Sequence, residues 1–156
     1  MSHEPAIDKD RETQYHTRES FLHDKLPHYI TKAKSKKHPF GVILLRLGEA
    51  YREGTDDERR QTALKVKDVI DNIALDSITM PGAKISFDVK SRDEHSYHLL
   101  MRVADEIECG LMLHRLEEGL KTNGYGDVKL VARSYNPVHE KITPESVMSD
   151  LEQKLV

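Results

Sequence analysis

Asp93 and Glu94, adjacent carboxylates flanked by Ser91, Arg92 and His95, are the residues whose types and spacing most suggest chemistry, an acid/base pair. Such a pair on an exposed hairpin is more often simply a solvated turn, and with Arg92 beside it and Arg46 opposite, the acids would form ion pairs. A second constellation, Lys32, Lys34, Lys36 and Lys37 beside His38, reads as a basic contact patch. Lysines at a helix end also complement the helix dipole, a purely structural use. The nine histidines show no zinc-ligand spacing. His95 and His98 would point to opposite faces of a strand, and the histidines read as surface or internally satisfied side chains. Cys109, the only cysteine, cannot form an internal disulfide and reads as a packed thiol.

The elements that position these residues follow from periodicity. Residues 1–12 are polar and aperiodic, which predicts a flexible lead-in before a single domain over 13–156. Leu22, Leu26, Tyr29, Ile30 and Ala33 recur at helical spacing over 18–33, with Pro27 expected to kink or divide the helix. The apolar run from Phe40 to Leu47 suits a central strand buried on both faces. Gly48 to Asp56 reads as a short polar connection. Residues 57–75 form a helical pattern through Ala63, Val66, Val69, Ile70 and Ile73, capped by Asp56 or Asp57.

Strands over 84–90 and 95–101 would place Ser91 to Glu94 on a hairpin turn. Val103, Ile107, Leu111, Leu113, Leu116 and Leu120 predict a helix, with Gly110 allowing close packing on the sheet. A strand over 128–135 follows, then a helix opened by Thr143 as N-cap and Pro144 at its first position. This order predicts an α/β sandwich, a mainly antiparallel central sheet with flanking helices.

Bulk properties narrow the function. A chain of 156 residues fits one domain with one modest core. With 24 Lys plus Arg against 27 Asp plus Glu, the net charge of −3 gives no global basic field for nucleic acid. No apolar run is long enough to span a bilayer, so a cytoplasmic chain without membrane contact is expected.

The stretch Ser91-Arg92-Asp93-Glu94-His95 resembles the GGDEF signature of diguanylate cyclases, and the order of elements resembles that family over nearly the whole chain. The resemblance implies a nucleotide-cyclase-like fold with a ferredoxin-like core. Asp10, Thr13 and Arg18 match the family's N-terminal motif D-x-L-T-G-L-x-N-R. At the signature the two acids match, while Ser91 and Arg92 replace glycines that let nucleotide phosphates approach, and His95 replaces phenylalanine. The family's metal-holding acid falls at Arg46. At about 4 Å and an effective dielectric of 20, an arginine opposes each unit of a cation's charge by roughly 4 kcal/mol. The guanine-reading positions fall about at Gly54 and Ala63, neither of which offers a side-chain hydrogen bond. The product-inhibition motif R-x-x-D would fall at Gly82 to Ile85, where both charged residues are missing.

The resemblance therefore implies an inactive GGDEF-like domain with no catalytic residue, metal or cofactor, serving cyclic di-GMP signalling through a regulatory protein partner. The alternative is a receptor that binds GTP or cyclic di-GMP weakly in a degenerate cleft without turnover. An active cyclase and an unrelated RNA-binding domain are disfavoured, the latter by few aromatics and the acidic balance.

Overall fold

The computed structural model describes residues 9–155. Of the expected lead-in, residues 1–8 lie outside the described residues. Asp10 to Tyr15 form a hydrogen-bonded turn. The Asp10 carboxylate accepts from the Thr13 N–H at 2.9 Å and hydroxyl at 2.7 Å, and the Gln14 N–H donates to the Asp10 carbonyl at 2.8 Å.

The chain then runs through β1 (His16–Thr17), α1 (Arg18–Ser20), a π-helical turn (Phe21–Lys25) and α2 (Leu26–Lys36). Pro27 sits at the start of α2, where its missing N–H is harmless, so the break expected there takes the form of the π turn before it. Next come β2 (Phe40–Arg46), α3 (Glu49–Glu53), α4 (Asp56–Asn72), β3 (Leu75–Asp76), β4 (Lys84–Ile85), β5 (Val89–Asp93) and β6 (Ser96–Arg102). The fold closes with α5 (Glu106–Thr122), β7 (Lys129–Tyr135) and α6 (Pro144–Leu155).

The main sheet has the order β1-β5-β6-β2-β7, antiparallel except for the short parallel pairing of β1 with β5. This is the mainly antiparallel sheet with flanking helices that the sequence predicts. β2 lies between β6 and β7, and strand alternation divides its apolar residues between two cores. Ile43 and Leu45 pack with Val66 and Ile70 of α4 and Met112, Leu116 and Leu120 of α5. Phe40, Val42 and Leu44 pack with Ile30 of α2 and Val147 and Leu151 of α6.

Several local expectations change. Thr55, not Asp56 or Asp57, caps α4, in a reciprocal box with Glu58: the Thr55 N–H donates to the Glu58 carboxylate at 2.9 Å. The connection after β2 contains α3, which buries Tyr51. The strand expected over 84–90 is two strands, because Lys84 and Ile85 pair with Asp76 and Leu75 in a separate ribbon. The packed face of α5 is Cys109, Met112, Leu116 and Leu120, leaving Ile107 67% and Leu111 38% exposed. Gly110 faces open space. The close approach falls instead at Gly41, where a Cβ would lie 2.9 Å from both Cys109 Sγ and Met101 Cε.

Candidate functional site

The hairpin register decides what the signature residues can do. Asp93 pairs with Ser96, so the turn is only Glu94 and His95, and Ser91, Arg92 and Asp93 belong to β5. Ser91 and Arg92 are therefore buried strand residues rather than turn residues. Ser91 points to the α2/α6 side, its hydroxyl 3.4 Å from the His98 carbonyl. Arg92 points to the opposite face. Glu94 carries the positive φ of the tight turn, +33°.

Arg92 is 6% exposed and organises the region. Its Nη1 donates to both Asp10 carboxylate oxygens, at 3.2 and 3.1 Å, and its Nη2 donates to Tyr51 Oη at 2.8 Å and to the Glu94 carbonyl at 2.9 Å. The Tyr51 hydroxyl donates to that same carbonyl at 2.9 Å, and the Leu47 N–H donates to the His95 carbonyl at 2.7 Å. The turn is thereby fastened to the N-terminal turn, to α3 and to the end of β2. Burial pushes the Asp10 carboxyl up, but hydrogen bonds from Thr13 and the Arg92 charge overcome it and leave the carboxyl below its ordinary value.

The ion pairs expected between Asp93, Glu94, Arg92 and Arg46 do not form. Arg92 takes Asp10 as its partner, and Arg46, in antiparallel register with Ser96, lies with its Nε 3.4 Å from the Ser96 hydroxyl. Among the described residues Asp93 and Glu94 enter no salt bridge, and both stay exposed.

A cleft of about 250 Å³ opens where the end of β2, α3, the start of α4 and the segment before β7 meet. Gly48, Tyr51, Gly54, Glu58, Arg59, Thr62, Tyr125 and Asp127 line it. Gly54 thus stands on the cleft, whereas Ala63 lies in the core beneath, its carbonyl accepting from Tyr97 Oη at 2.9 Å. Thr62 takes the lining position that the sequence register assigns to Ala63. Arg59 spends its guanidinium on the end of α3, donating to the carbonyls of Tyr51 at 3.2 Å and Arg52 at 2.7 Å.

Leu47, Gly48 and Asp127 continue the cleft into a second compartment of about 440 Å³, lined by Arg46, Arg52 and Lys129. A Cβ on Gly48 would lie 2.3 Å from Asp127 Oδ2, so only glycine lets this carboxylate sit against the loop. Sequence reasoning missed Thr62, Tyr125 and Asp127, because the loop containing the last two has no periodic signature. Asp93 and Glu94 line neither compartment.

Of the lysine cluster, Lys32 and Lys36 line a separate groove, while Lys34 and Lys37 do not. His98 departs from the expected surface or satisfied histidines. It is 2% exposed, its ring lies 5.3 Å from that of Phe21, and its Nδ1 has no protein partner. Burial pushes its pKa down to about 3, with the Arg18 and Arg46 charges acting in the same direction. Cys109 is buried, and burial pushes its thiol up to about 12. Among the described residues no group of three or more His, Cys, Asp or Glu could hold a metal ion, and no helix is long and apolar enough to cross a membrane.

Neither a protein-family model nor a curated protein sequence matches the chain. Solved structures do. A DGC protein from Thermotoga maritima superposes with a TM-score of 0.67 at 13% identity, covering 94% of this chain and 100% of that one. The diguanylate cyclase SiaD from Pseudomonas aeruginosa, solved in complex with its activator SiaC, gives 0.73 at 12% identity, covering 96% of this chain and 57% of that one. The S helix-GGDEF-EAL portion of LapD from Vibrio cholerae, bound to c-di-GMP, gives 0.69 at 16% identity, covering 96% of this chain and 33% of that one. The chain therefore has the GGDEF-type fold, and it spans only about a third of the LapD chain it matches.

Proposed function

We propose that this chain is a catalytically inactive GGDEF-like domain that works as a regulatory protein-binding module in cyclic di-GMP signalling, in the cytoplasm. The observation that carries the reading is Arg92. At a position where the family's glycine would leave room for nucleotide phosphates, a buried guanidinium joins Asp10, Tyr51 and the Glu94 carbonyl. Arg46 in place of the metal-holding acid works in the same direction, since a magnesium ion requires oxygen ligands. In the family register Arg46 stands at the metal-holding position and Gly54, which lines the cleft without a side chain, at one guanine-reading position; Ala63, assigned to the other, lies in the core beside Thr62 of the lining. SiaD, a protein with a similar fold over 57% of its chain, was solved in complex with a protein activator, which supports a protein partner for this chain.

The second reading is a receptor that binds GTP or cyclic di-GMP without turnover. It draws on the cleft at Gly54 and Thr62 and on Arg46, Arg52 and Lys129 at its mouth, three cations that could neutralise phosphates without a metal. Calorimetric titration with GTP, with and without magnesium, and with cyclic di-GMP separates the two. The protein-binding reading expects no heat up to roughly millimolar ligand, a bound of about 4 kcal/mol. Micromolar binding without product would establish the receptor. Cyclic di-GMP formed from magnesium GTP would overturn both.

A further inference from the structure

Lys32 and Lys36 stand one turn apart on α2, so both rise from the same face of the helix. With Lys84 of β4 and Arg102 at the end of β6 they line a groove of about 580 Å³. Through Met80, Lys84, Ile85 and Arg102 this groove continues into a smaller compartment of about 150 Å³, walled by Pro39, Ala83 and Val103. A chain with a net charge of −3 thus gathers four cationic side chains on one surface, beside the single carboxylate of Asp88.

Two carboxylates lie beside them, Asp88 in the groove and Glu108 in the smaller compartment, and among the described residues each is held by hydrogen bonds rather than by an ion pair, so the cations outnumber the anions. Asp88 accepts from Tyr29 Oη at 2.7 Å. Glu108, in the smaller compartment, accepts from the Ala104 N–H at 2.7 Å, the Ser77 hydroxyl at 2.9 Å and the Ile78 N–H at 3.1 Å. Among the described residues Lys32, Lys36 and Arg102 form no salt bridge, and Lys84 reaches Asp76 at 4.0 Å with both side chains exposed. Complementing the helix dipole explains Lys36, which lies in the last turn of α2, but not Lys32, nor the two cations on other elements.

The arrangement discriminates among anions. A phosphate group is held by donors that converge on one point, and a nucleotide base that binds by stacking uses an open aromatic face. Here the cations come from three separate elements, α2, β4 and β6. Tyr29, its one aromatic ring other than histidine, stands edge-on to Phe40 at 5.6 Å with its hydroxyl committed to Asp88. An extended acidic chain matches cations drawn from three elements. The adjoining compartment, with Met80 49% exposed at its edge, suits an apolar side chain beside those acids.

We propose that this groove docks an acidic protein segment carrying a large apolar side chain, with Lys32, Lys36, Lys84 and Arg102 receiving the carboxylates and the compartment at Met80, Ile85 and Val103 receiving the apolar group. This deepens the protein-binding reading and rests on it.

Fluorescence anisotropy of the fluorescein-labelled peptide EELEELEE against the full chain tests the proposal. Saturable binding is expected, lowered about tenfold or more by Lys32→Glu/Lys36→Glu/Lys84→Glu and weakened as salt rises from about 50 to 500 mM. Met80→Asp should weaken it, the peptide EESEESEE should bind less well, and Lys34→Glu/Lys37→Glu, outside the groove, should leave it unchanged. All these lysines are exposed, and circular dichroism verifies that the variants fold. No saturation, or equal loss in the Lys34/Lys37 control, overturns the proposal. So does cyclic di-GMP binding that disappears in the triple variant while the peptide fails to bind. A partner captured from a bacterial lysate whose binding survives the triple variant overturns this surface alone. Micromolar nucleotide binding in the cleft at Gly54 instead counts against the protein-binding reading itself.

Discussion

Replacing Arg92 by methionine keeps the apolar stem and removes the guanidinium that joins three segments. Breaking a buried ion pair by deleting one partner costs about 3–5 kcal/mol. Two features pull the cost toward or below the low end. The Asp10 side chain is 18% exposed and keeps both hydrogen bonds from Thr13, and the buried Arg92 Nε, which has no protein partner, is removed with the rest. Relieving that orphaned group returns about 1 kcal/mol. Arg92→Met should therefore lower stability by about 2–3 kcal/mol. For a domain of this length that is a fall in Tm of about 4–12 °C. Urea unfolding followed by circular dichroism at pH 7.5 measures it. Asp10→Asn should also destabilise, and the double variant should cost at least about 1 kcal/mol less than the sum of the two, because both remove one interaction. Arg92→Met within about 0.5 kcal/mol of the parent, or strict additivity, would refute the role of this network.

Other expectations follow from single environments. His98 is held neutral by burial, with a folded value of about 3 against 6.5 for the free side chain. The unfolded chain therefore takes up the proton first as pH falls below 6.5, and stability present above 6.5 is lost toward pH 3. Urea melts at pH 7.5 and 5 should differ by about 2 kcal/mol from this residue, and His98→Leu should remove that slope. Gly41→Ala places a methyl group against Cys109 Sγ and Met101 Cε at 2.9 Å and should cost about 1–3 kcal/mol in the same assay. The Cys109 thiol, buried and raised to about 12, should resist Ellman's reagent in the native protein and react fully in urea; fast native reaction would contradict its packing.

The elements with strong periodicity were legible in the sequence. The nearly continuous apolar run from Phe40 to Leu47 suited a strand covered on both faces, and it became the strand between β6 and β7. Thr143 and Pro144 announced α6, with Thr143 accepting from the Ser146 N–H at 3.1 Å. Elements that depend on tertiary pairing were not legible. β3 and β4 are two residues each and exist because they meet one another, and α3 is five residues with a buried Tyr51 as its anchor. On α5, Ile107 and Leu111 fit the helical period as well as Cys109 and Met112 do. Position relative to the sheet, which no local pattern encodes, chooses between the two faces.

The signature shows the same division at the scale of one site. By resemblance alone, its residue types read as departures: Ser91 and Arg92 where the family has glycines, and Arg46 where it has a metal-holding acid. What those residues do in the fold was not legible, because Arg92 finds its charge partner 82 residues away in Asp10. A one-residue difference in where the turn falls also reverses which side of the sheet a strand residue faces. Pairing Asp93 with Ser96 sends Arg92 toward Tyr51 and Asp10, and sends Ser91 to the opposite face beside His98. In the folded chain the region is organised around the Arg92 guanidinium. The Arg92 network ties the N-terminal turn to α3, and α3 forms one wall of the cleft. A displacement of the Asp10 turn would reach that wall through two hydrogen-bonded side chains, Arg92 and Tyr51. Asp10→Asn should accordingly raise amide exchange in both α3 and the Glu94 turn, whereas a purely local role for Asp10 would confine the change to residues 10–15.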